Sequence, residues 1–329
     1  MTEKPIAVTP YRFCVAPMLD WTDRHCRYFH RLLSPHARLY TEMVTAAALY
    51  YGDAARHLDF DAAEHPLALQ LGGSDPAMLA HAARLGARWG YDEINLNCGC
   101  PSERVQSGSF GACLMKEPAL VADCVRAMRE AVSIPVTVKH RIGVDAIEDY
   151  GFVRDFVGAV HEAGCDVFIV HARNAILSGL SPKENREIPP LRYETAHQLK
   201  RDFPQCTIVL NGGLADWPTI EAQLTTGIDG LMVGRWAYHQ PYCLAEAEAQ
   251  LFGCNAPLPT RRAIIEAMIP YIENQLRQGV ALRAITRHLL GLYHGQPGAR
   301  LFRQWLSDSR QLERQSVDVL YEALRKVSA

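Results

Sequence analysis

The stretch EINLNCG, residues 93–99, is one of eight short runs, rich in apolar and β-branched residues, that recur through the first 235 residues of the chain. Segments with helical periodicity separate the runs, and Pro76 and Pro118 suit the first turns of two such helices. Eight strand–helix units in about 250 residues predict a (β/α)8 barrel, the TIM-barrel fold. A doubly wound α/β sheet is the alternative, but it would not usually supply eight units in one uninterrupted series. The other seven runs are residues 13–18, 39–44, 67–73, 136–141, 167–173, 207–213 and 230–235.

A polar or functional side chain lies near the end of nearly every run. The carboxyl ends of barrel strands converge on one mouth, which is where active sites of this fold lie. We therefore expect these side chains to meet around a common site. They are Met18, Glu42, Gln70, Asn97, Lys139, His171, Asn211 and Arg235.

The pattern changes after Gly253. Residues 255–260, NAPLPT, form a linker, and helical stretches follow it at residues 261–278, 280–293 and 317–327. We predict a catalytic barrel over residues 1–253 and an all-helical domain over residues 254–329. Residues 256–329 hold 11 Lys and Arg against 6 Asp and Glu, a net charge of +5, whereas the rest of the chain carries −7. This asymmetry indicates either a polyanionic partner for the helical domain or a charged, solvated surface.

Composition indicates a globular protein with an ample core, because 48% of the residues are apolar and 21% are charged. The N-terminus has no apolar signal segment, and no run approaches the length of a membrane span. We expect a cytoplasmic protein with no membrane partner, and its ten cysteines to be reduced. C-x-x-C pairs are absent, so no metal site is predicted.

Two glycine-bearing strand ends point to a phosphate. NGG (211–213) closes the seventh run, and Gly234 with Arg235 closes the eighth. In barrels, the loops after these strands often bind phosphate through backbone N–H groups, which glycine allows to approach closely. Lys139 could form a Schiff base or could counter an anionic cofactor, and His171 could donate a hydrogen bond or act as an acid. Together, the glycine-bearing strand ends, Lys139 and His171 indicate a phosphorylated, ring-bearing cofactor that lies across the mouth.

The cysteines Cys98 and Cys100 lie two residues apart at the end of the fourth run. The pair could ligate a metal, form a redox couple, or combine one working thiol with an idle one. Cys100 stands between Gly99 and Pro101, just past the strand end. The loop after it, residues 102–114, contains two glycines, which is consistent with a lid over the site.

The run INLNCGCP (94–101), with SER and QSGSF after it, resembles the signature of the tRNA-dihydrouridine synthases. The resemblance extends over the whole chain through APM (16–18), Gln70, VKHR (138–141), HAR (171–173), NGG and GR. The segments GLSPKENREIPPL (179–191) and HGQPGARLFRQWLS (294–307) resemble the A-type bacterial subgroup, taken to act on uridines 20 and 20a of the tRNA D-loop. One departure is Asn174, where such sequences often carry lysine.

This resemblance implies that the chain reduces the C5–C6 double bond of uridine to give 5,6-dihydrouridine. FMN would be bound in the mouth, and NADPH (or NADH) would reduce it. Cys100 would protonate C5 of the uracil, because an ordinary thiol with a pKa of about 8.5 is mostly protonated at neutral pH yet able to donate. Cys98 falls at a position that the family motif does not fix, and is interpreted as a bystander. The implied FMN contacts are Pro17, Met18, Leu19, Gln70, Lys139, His171, Asn211, Gly212, Gly213, Gly234 and Arg235.

The resemblance also implies a macromolecular substrate. A base in folded tRNA must be extruded to reach a pocket, and Asn97 would then contact it. Lys183, Arg186, Arg300 and Arg303 would fix the orientation of the tRNA, with the protein acting as a monomer. The alternatives are an FMN barrel that reduces a free small molecule, an aldolase that uses Lys139, and a tRNA-binding protein without catalysis. The basic helical segment speaks against the first, and intact Cys100, Lys139 and His171 speak against the last.

Overall fold

The computed structural model describes residues 9–102, 105 and 108–327. Within these residues, nine strands form a single parallel sheet, and each of the eight predicted runs contains at least one of them. The run at residues 39–44 divides into two short strands separated by residues 41–43, and the second strand extends to Thr45. The strands are β1 Phe13–Val15, β2 Leu39–Tyr40, β3 Val44–Thr45, β4 Leu67–Gly72, β5 Glu93–Cys98, β6 Val136–Arg141, β7 Val167–His171, β8 Thr207–Asn211 and β9 Gly230–Val233.

The sheet curls into a nearly closed barrel. Its strand order is β1-β9-β8-β7-β6-β5-β4-β2, with β3 also paired to β4. The open edge is closed by hydrogen bonds from the N–H of Val15 to the carbonyl of Arg38 (2.9 Å) and from the N–H of Arg38 to the carbonyl of Phe13 (3.0 Å). The predicted (β/α)8 barrel is therefore confirmed, and the doubly wound sheet is excluded.

Helices follow the strands as the fold requires, and several begin at a capping side chain. Asp75 accepts a hydrogen bond from the N–H of Met78 (2.8 Å), and Pro76 occupies the first helical position behind it. The helices of the described residues are α1 Arg24–Leu33, α2 Ala46–Tyr51, α3 Ala54–Leu58, α4 Pro76–Trp89, α5 Pro118–Ala131, α6 Tyr150–Glu162, α7 Tyr193–Asp202, α8 Trp217–Leu224, α9 Arg235–His239, α10 Cys243–Leu251, α11 Arg261–Arg277, α12 Leu282–Thr286, α13 Ala299–Trp305, α14 Ser309–Leu312 and α15 Asp318–Leu324. None of them combines the length and hydrophobicity needed to span a bilayer.

Strand alternation sorts the side chains of β5 onto two faces. Ile94 points outward, since a side chain added at Gly86 of α4 would collide with it. Glu93, Asn95 and Asn97 point into the barrel, where they hydrogen-bond to side chains of neighbouring strands. The opposite part of the interior is apolar and is formed by residues such as Cys14, Ala16, Ile169, Val209 and Met232. The barrel core thus has a polar side at β4–β6 and an apolar side at β7–β9 and β1.

The chain divides into two compact units. The first contains all nine strands and comprises residues 9–19, 38–60 and the described part of 65–234. The second comprises residues 20–37, 61–64 and 235–327, so that α1 belongs with the C-terminal helices. In the second unit, the rings of Tyr28 and Tyr271 stack at 3.9 Å and Arg27 forms a buried ion pair with Glu64 (2.6 Å). The assignment of catalysis to residues 1–253 and of tRNA binding to residues 254–329 stays a prediction.

We predict that His140 makes the protein sensitive to acid. Its imidazole is buried against the rings of Phe156 and Phe168, and burial lowers its pKa to about 4. The unfolded chain takes up the proton near pH 6.5, whereas the folded chain takes it up only near pH 4, so stability falls as the pH drops through this interval. This one residue contributes a slope of up to about 1.4 kcal/mol per pH unit to the free energy of unfolding.

Urea unfolding between pH 7 and pH 4.5 measures that slope. The variant His140→Gln should have a shallower slope than the wild type, whereas His57→Gln, at an exposed position, should leave it unchanged. Equal slopes for the wild type and His140→Gln would contradict the prediction.

Candidate active site

The register of the barrel brings most of the predicted strand-end residues together. Asn97 on β5 pairs with Lys139 on β6, and His171 on β7 pairs with Asn211 on β8. These residues lie at the carboxyl ends of adjacent strands, so their side chains surround one mouth. Gln70 on β4 reaches the same place, because its side-chain oxygen accepts a hydrogen bond from Asn97 (3.0 Å).

Asn97 anchors the loop that carries Cys100. Its side-chain oxygen accepts hydrogen bonds from the N–H groups of Gly99 (3.0 Å) and Cys100 (2.9 Å). This is the local turn that asparagine favours, with a side chain substituting for a backbone acceptor. The side chain is 9% exposed, and one of its two amide hydrogens is used in the bond to Gln70. The backbone at Cys100 is therefore tied directly to the strand.

The two cysteines of the opening stretch have different environments. Cys98 is fully buried, and burial raises the pKa of its thiol well above the ordinary value. Cys100 is partly exposed, with its sulfur 3.5 Å from the hydroxyl oxygen of Ser102. All ten cysteines are free thiols. An inert buried thiol beside an accessible one is the arrangement expected for one working cysteine and one bystander, and it gives no support to a redox couple.

The lid predicted over residues 102–114 is described only in part. Residues 103, 104, 106 and 107 lie outside the described residues. The end of the segment is the 3-10 helix Gly111–Lys116, and the N–H of Ala112 donates to the carbonyl of Cys100 (2.9 Å). A side chain at Gly111 would lie 2.6 Å from that same carbonyl oxygen, so only glycine fits there. The lid function stays a prediction.

Lys139 and His171 give the mouth its electrostatic character. Burial lowers the pKa of Lys139 to about 7, assisted by the positive charge of Arg141 and opposed by Cys100. The pKa of His171 lies well below its ordinary value because the imidazole is buried and, secondarily, because it faces Arg141 and Lys139. His171 is therefore neutral at pH 7, and its buried Nδ1 atom has no hydrogen-bond partner in the described part of the chain.

Arg141 is a site residue that the sequence did not single out. Its buried guanidinium donates from Nε to the carbonyl of Gly99 (3.1 Å), and from Nη1 to the carbonyls of Asn174 (3.1 Å) and Asn185 (2.9 Å). Burial lowers its pKa to about 10, which leaves it charged at neutral pH. The alternation along β6 was the available signal, since Thr137, Lys139 and Arg141 share one face of the strand.

The loop that contains Asn185 is held against Arg141. The buried side chain of Asn185 accepts from the N–H of Ile176 (2.8 Å) and donates to the carbonyl of Ile176 (2.9 Å). Lys183 and Arg186, the predicted tRNA contacts, are exposed on either side of it. Asn174 is buried and directs its side-chain nitrogen toward the carbonyl of Ile147 (3.4 Å). The asparagine at this position is thus an internal structural residue rather than an exposed contact.

The predicted phosphate loop has the backbone that such a site needs. Asn211 donates to the carbonyl of Met232 (2.7 Å), which fixes the end of β8 against β9. Gly212 and Gly213 have φ angles of 113° and 67°, in the region that side chains avoid. A side chain at Gly213 would lie 2.4 Å from Leu191. The backbone geometry requires glycine at both positions. Gly212 is buried and its carbonyl accepts a hydrogen bond from the hydroxyl of Tyr193 (2.8 Å), whereas Gly213 is exposed.

The remaining predicted cofactor contacts lie at two strand ends. Pro17 and Met18 are partly buried after β1, and Leu19 is 66% exposed. A side chain added at Gly234, after β9, would contact the sulfur of Met18. Arg235 is the first residue of α9 in the second unit.

The predicted arginine pair of the second unit is exposed on one short helix. Arg300 and Arg303 lie on α13, whose buried residue Phe302 packs inward. Neither arginine forms an ion pair within the described residues. By contrast, Arg310 and Arg314 pair with Asp308 (3.5 Å) and Glu322 (2.7 Å). Arg300 and Arg303 therefore present uncompensated positive charge.

One group of residues with metal-ligating chemistry occurs in the described part of the second unit. It comprises His36, Glu248 and Cys254, whose ligand atoms lie within 4.8 Å of one another. The Glu248 carboxylate accepts from Nδ1 of His36 (2.6 Å), from the thiol of Cys254 (3.4 Å) and from Ser34. These hydrogen bonds satisfy the oxygens of the carboxylate, so its burial is explained without a bound metal ion. The sequence-based prediction of no metal site stays a prediction.

A parallel barrel with a partly exposed thiol, a half-buried lysine and a neutral histidine at its mouth has the layout of a TIM-barrel enzyme. The family model described as Dihydrouridine synthase (Dus) matches residues 14–328, and the chain therefore belongs to the dihydrouridine synthase family. The predicted family and enzyme class, a flavin-dependent oxidoreductase, are confirmed.

Curated relatives match over nearly their full length. A tRNA-dihydrouridine(20/20a) synthase of Xanthomonas campestris pv. campestris is 60% identical over 299 residues, which cover 90% of this chain and 88% of the relative. The protein of the same name from Pseudomonas putida is 62% identical over 296 residues, with the same coverage. The one from Pseudomonas aeruginosa is 60% identical over 306 residues, covering 93% of this chain and 92% of the relative.

A solved structure shares the fold. The complex of 2-naphthoyl-CoA reductase with 2-naphthoyl-CoA superposes with a TM-score of 0.56 at 10% identity, over 73% of this chain and half of that chain (50%). At this identity the likeness shows the barrel architecture alone.

Proposed function

We propose that the protein reduces the C5–C6 double bond of uridines 20 and 20a in the D-loop of tRNA to 5,6-dihydrouridine. FMN is the bound cofactor and NADPH the reductant in this proposal. The names of the relatives support the reaction and the substrate. The observation that carries the assignment to this site is the accessible Cys100 thiol, whose backbone Asn97 holds at the barrel mouth beside Lys139 and His171. The cytoplasmic location and monomeric state predicted from the sequence stay predictions.

The residues at the mouth fit FMN. The buried Nδ1 of His171 lacks a partner in the described chain, which is a site for a ligand hydrogen bond. Lys139, on the neighbouring strand β6, adds a hydrogen-bond donor at the mouth, which suits the polar edge of an isoalloxazine ring. The phosphate would bind at Asn211, Gly212 and Gly213 after β8 and at Gly234 after β9, and the positive φ angles of Gly212 and Gly213 give the first of these turns the glycine backbone typical of such loops. Pro17, Met18, Leu19, Gln70 and Arg235 complete the proposed contacts.

When bound and reduced, FMN would supply a hydride to C6 of the uracil. The Cys100 thiol would give its proton to C5, so the double bond gains one hydride and one proton in total. The sulfur is then left as a thiolate, which a proton from solvent restores. Asn97 and Arg141 hold the loop backbone on both sides of Gly99, so the thiol is presented in a defined position. Holding the donor in place increases the rate of such a transfer.

The target base must leave the tRNA stack to reach this mouth. Asn97 retains one amide hydrogen for a uracil oxygen, since the other is used by Gln70. Lys183 and Arg186 are exposed on the loop held by Asn185, and Arg300 and Arg303 are exposed on α13. These four cations would contact tRNA phosphates and fix its orientation.

Replacing each cysteine of the pair tests the assignment of the acid. Cys100→Ala should bind FMN and oxidise NADPH as the wild type does, because neither step uses the thiol. Its rate of uridine reduction should fall at least about 100-fold, the upper range of general-acid contributions being larger still. Single-turnover reduction of tRNA by the pre-reduced flavoprotein measures this rate.

Cys98→Ala is the matched control. It removes a thiol that is buried and outside the mouth, so its rate should stay within about threefold of wild type once corrected for FMN content. Equal losses in the two variants would defeat the assignment of a single acid.

Charge reversal on α13 tests the proposed tRNA contact. The double variant Arg300→Glu/Arg303→Glu should bind tRNA at least about tenfold more weakly and show a reduced dependence of affinity on salt, because each lost phosphate contact lowers the salt slope by about 1. FMN content should not change. Filter binding at several salt concentrations gives both quantities.

Arg310→Glu/Arg314→Glu makes the same change in charge at two arginines that are paired with carboxylates in the same unit. This control should weaken binding much less. If the two double variants weakened binding equally, the effect would be one of net charge, and the specific role of Arg300 and Arg303 would be refuted.

A further inference from the structure

A continuous line of buried hydrogen bonds runs through the polar side of the barrel, from Glu93 at the start of β5 to the backbone of Cys100. The hydroxyl of Thr137 donates to Oε1 of Glu93 (2.5 Å), and Asn95 donates to the oxygen of Thr137 (2.8 Å). Gln70 donates to the oxygen of Asn95 (2.8 Å). Asn97 donates to Gln70 and accepts from the N–H of Cys100.

In every hydrogen bond of this line, the donor is on the Cys100 side and the acceptor is on the Glu93 side. The carboxylate of Glu93 sets this direction. A carboxylate only accepts, so the Thr137 hydroxyl must donate to Glu93 and can accept only from the amide nitrogen of Asn95. The Asn95 oxygen therefore faces Gln70 and accepts from its amide nitrogen. The Gln70 oxygen in turn accepts from the amide nitrogen of Asn97. The result is that the oxygen of Asn97 faces the loop, where it accepts from Gly99 and Cys100.

The carboxylate that sets this direction is itself held in place. Glu93 is fully buried, with Oε2 3.1 Å from the guanidinium of Arg38 and Oε1 accepting also from the hydroxyl of Tyr40 (3.0 Å). The strand register places Gln70, Asn95 and Thr137 side by side on β4, β5 and β6. Within the described chain, each of these three side chains is buried, and water cannot take over a missing link without a rearrangement.

We propose that Asn95 and Thr137 are positioning residues for protonation of the uracil, acting through Gln70 and Asn97 on the loop that carries Cys100. The proposal rests on the proposed function of Cys100 as the acid. Neither residue reaches the mouth, and each acts by fixing which end of the next amide faces its neighbour. Displacement of a reacting group by about 1 Å can cost about 100-fold in rate, so a link remote from the sulfur is able to control it.

Two variants separate this role from a general need for a polar core. Thr137→Val and Tyr40→Phe each remove one hydroxyl that donates to the same oxygen of Glu93. Only Thr137→Val also removes the acceptor of Asn95, and so only it breaks the line toward Cys100. Thr137→Ser retains the hydroxyl and serves as the conservative variant. All are measured as flavin-loaded protein.

Three readouts are compared. The first is the rate of flavin reduction by NADPH, and the second is the single-turnover rate of uridine reduction by the pre-reduced protein. The third is the rate at which iodoacetamide alkylates Cys100, followed by mass spectrometry of its peptide. Thr137→Val should slow uridine reduction at least about tenfold and change the alkylation rate at least about threefold, with flavin reduction within about twofold of wild type. Thr137→Ser and Tyr40→Phe should stay within about twofold in all three.

Several results would overturn the proposal. Equal effects of Thr137→Val and Tyr40→Phe, or equal slowing of both reaction halves, would show that the residues only support the barrel. If the alkylation rate changed while uridine reduction did not, the claim that Cys100 is the acid would be wrong, and Cys100→Ala would then also remain active. Unchanged alkylation and unchanged reduction, with Cys100→Ala inactive, would overturn the positioning role alone. If Thr137→Val does not fold, Asn95→Ser, which shortens the same link, takes its place with the same expected outcomes.

Discussion

The buried carboxylate of Glu93 is the constraint on which the interior of this barrel depends. A charge without contact to water is costly unless ion pairs and hydrogen bonds replace its hydration, and here Arg38, Tyr40 and Thr137 do so. The requirement makes one side of the barrel core polar, while the other side stays apolar. It also gives the polar side a direction. Because the carboxylate can only accept, the Thr137 hydroxyl donates to it, and each amide between Thr137 and the mouth then donates toward the Glu93 end of the line.

At the mouth, the direction of these hydrogen bonds determines how the loop that carries Cys100 is held. Asn97 turns its oxygen to the Cys100 loop, and Arg141 holds the carbonyl of Gly99 from the other side. Arg141 carries positive charge there and Lys139, with a pKa of about 7, is partly protonated at neutral pH. Burial, assisted by these two residues, lowers the pKa of His171 and keeps the imidazole neutral. A site with fixed donors, a neutral imidazole and one accessible thiol is suited to hold an anionic ring system and to protonate a base placed against it.

Much of this architecture was predictable from the sequence. The eight runs predicted the barrel because strand and helix periodicities are local, and the polar strand ends of Asn97, Lys139, His171 and Asn211 predicted the mouth. The alternation along β6 could have placed Arg141 at the mouth. Its contact with Asn185 was not predictable, because it joins a strand end to a loop that is distant in sequence. The membership of α1 in the second unit and the line from Glu93 to Cys100 likewise depend on strand register and packing. The distinction between Cys98 and Cys100 followed from a family resemblance and acquired a physical basis, burial, only in the structure.

The central claim of the proposed function is that Cys100 protonates C5 of the uracil. The base would lie between the thiol and the flavin, so that the acid and the hydride donor are on opposite faces of the ring. The most direct test is to run the reaction in deuterium oxide and determine the relative configuration at C5 and C6 of the dihydrouridine product by NMR. An acid opposite the flavin predicts that the two deuterium atoms add to opposite faces of the ring. Addition to the same face, or a mixture of both products, would contradict the account.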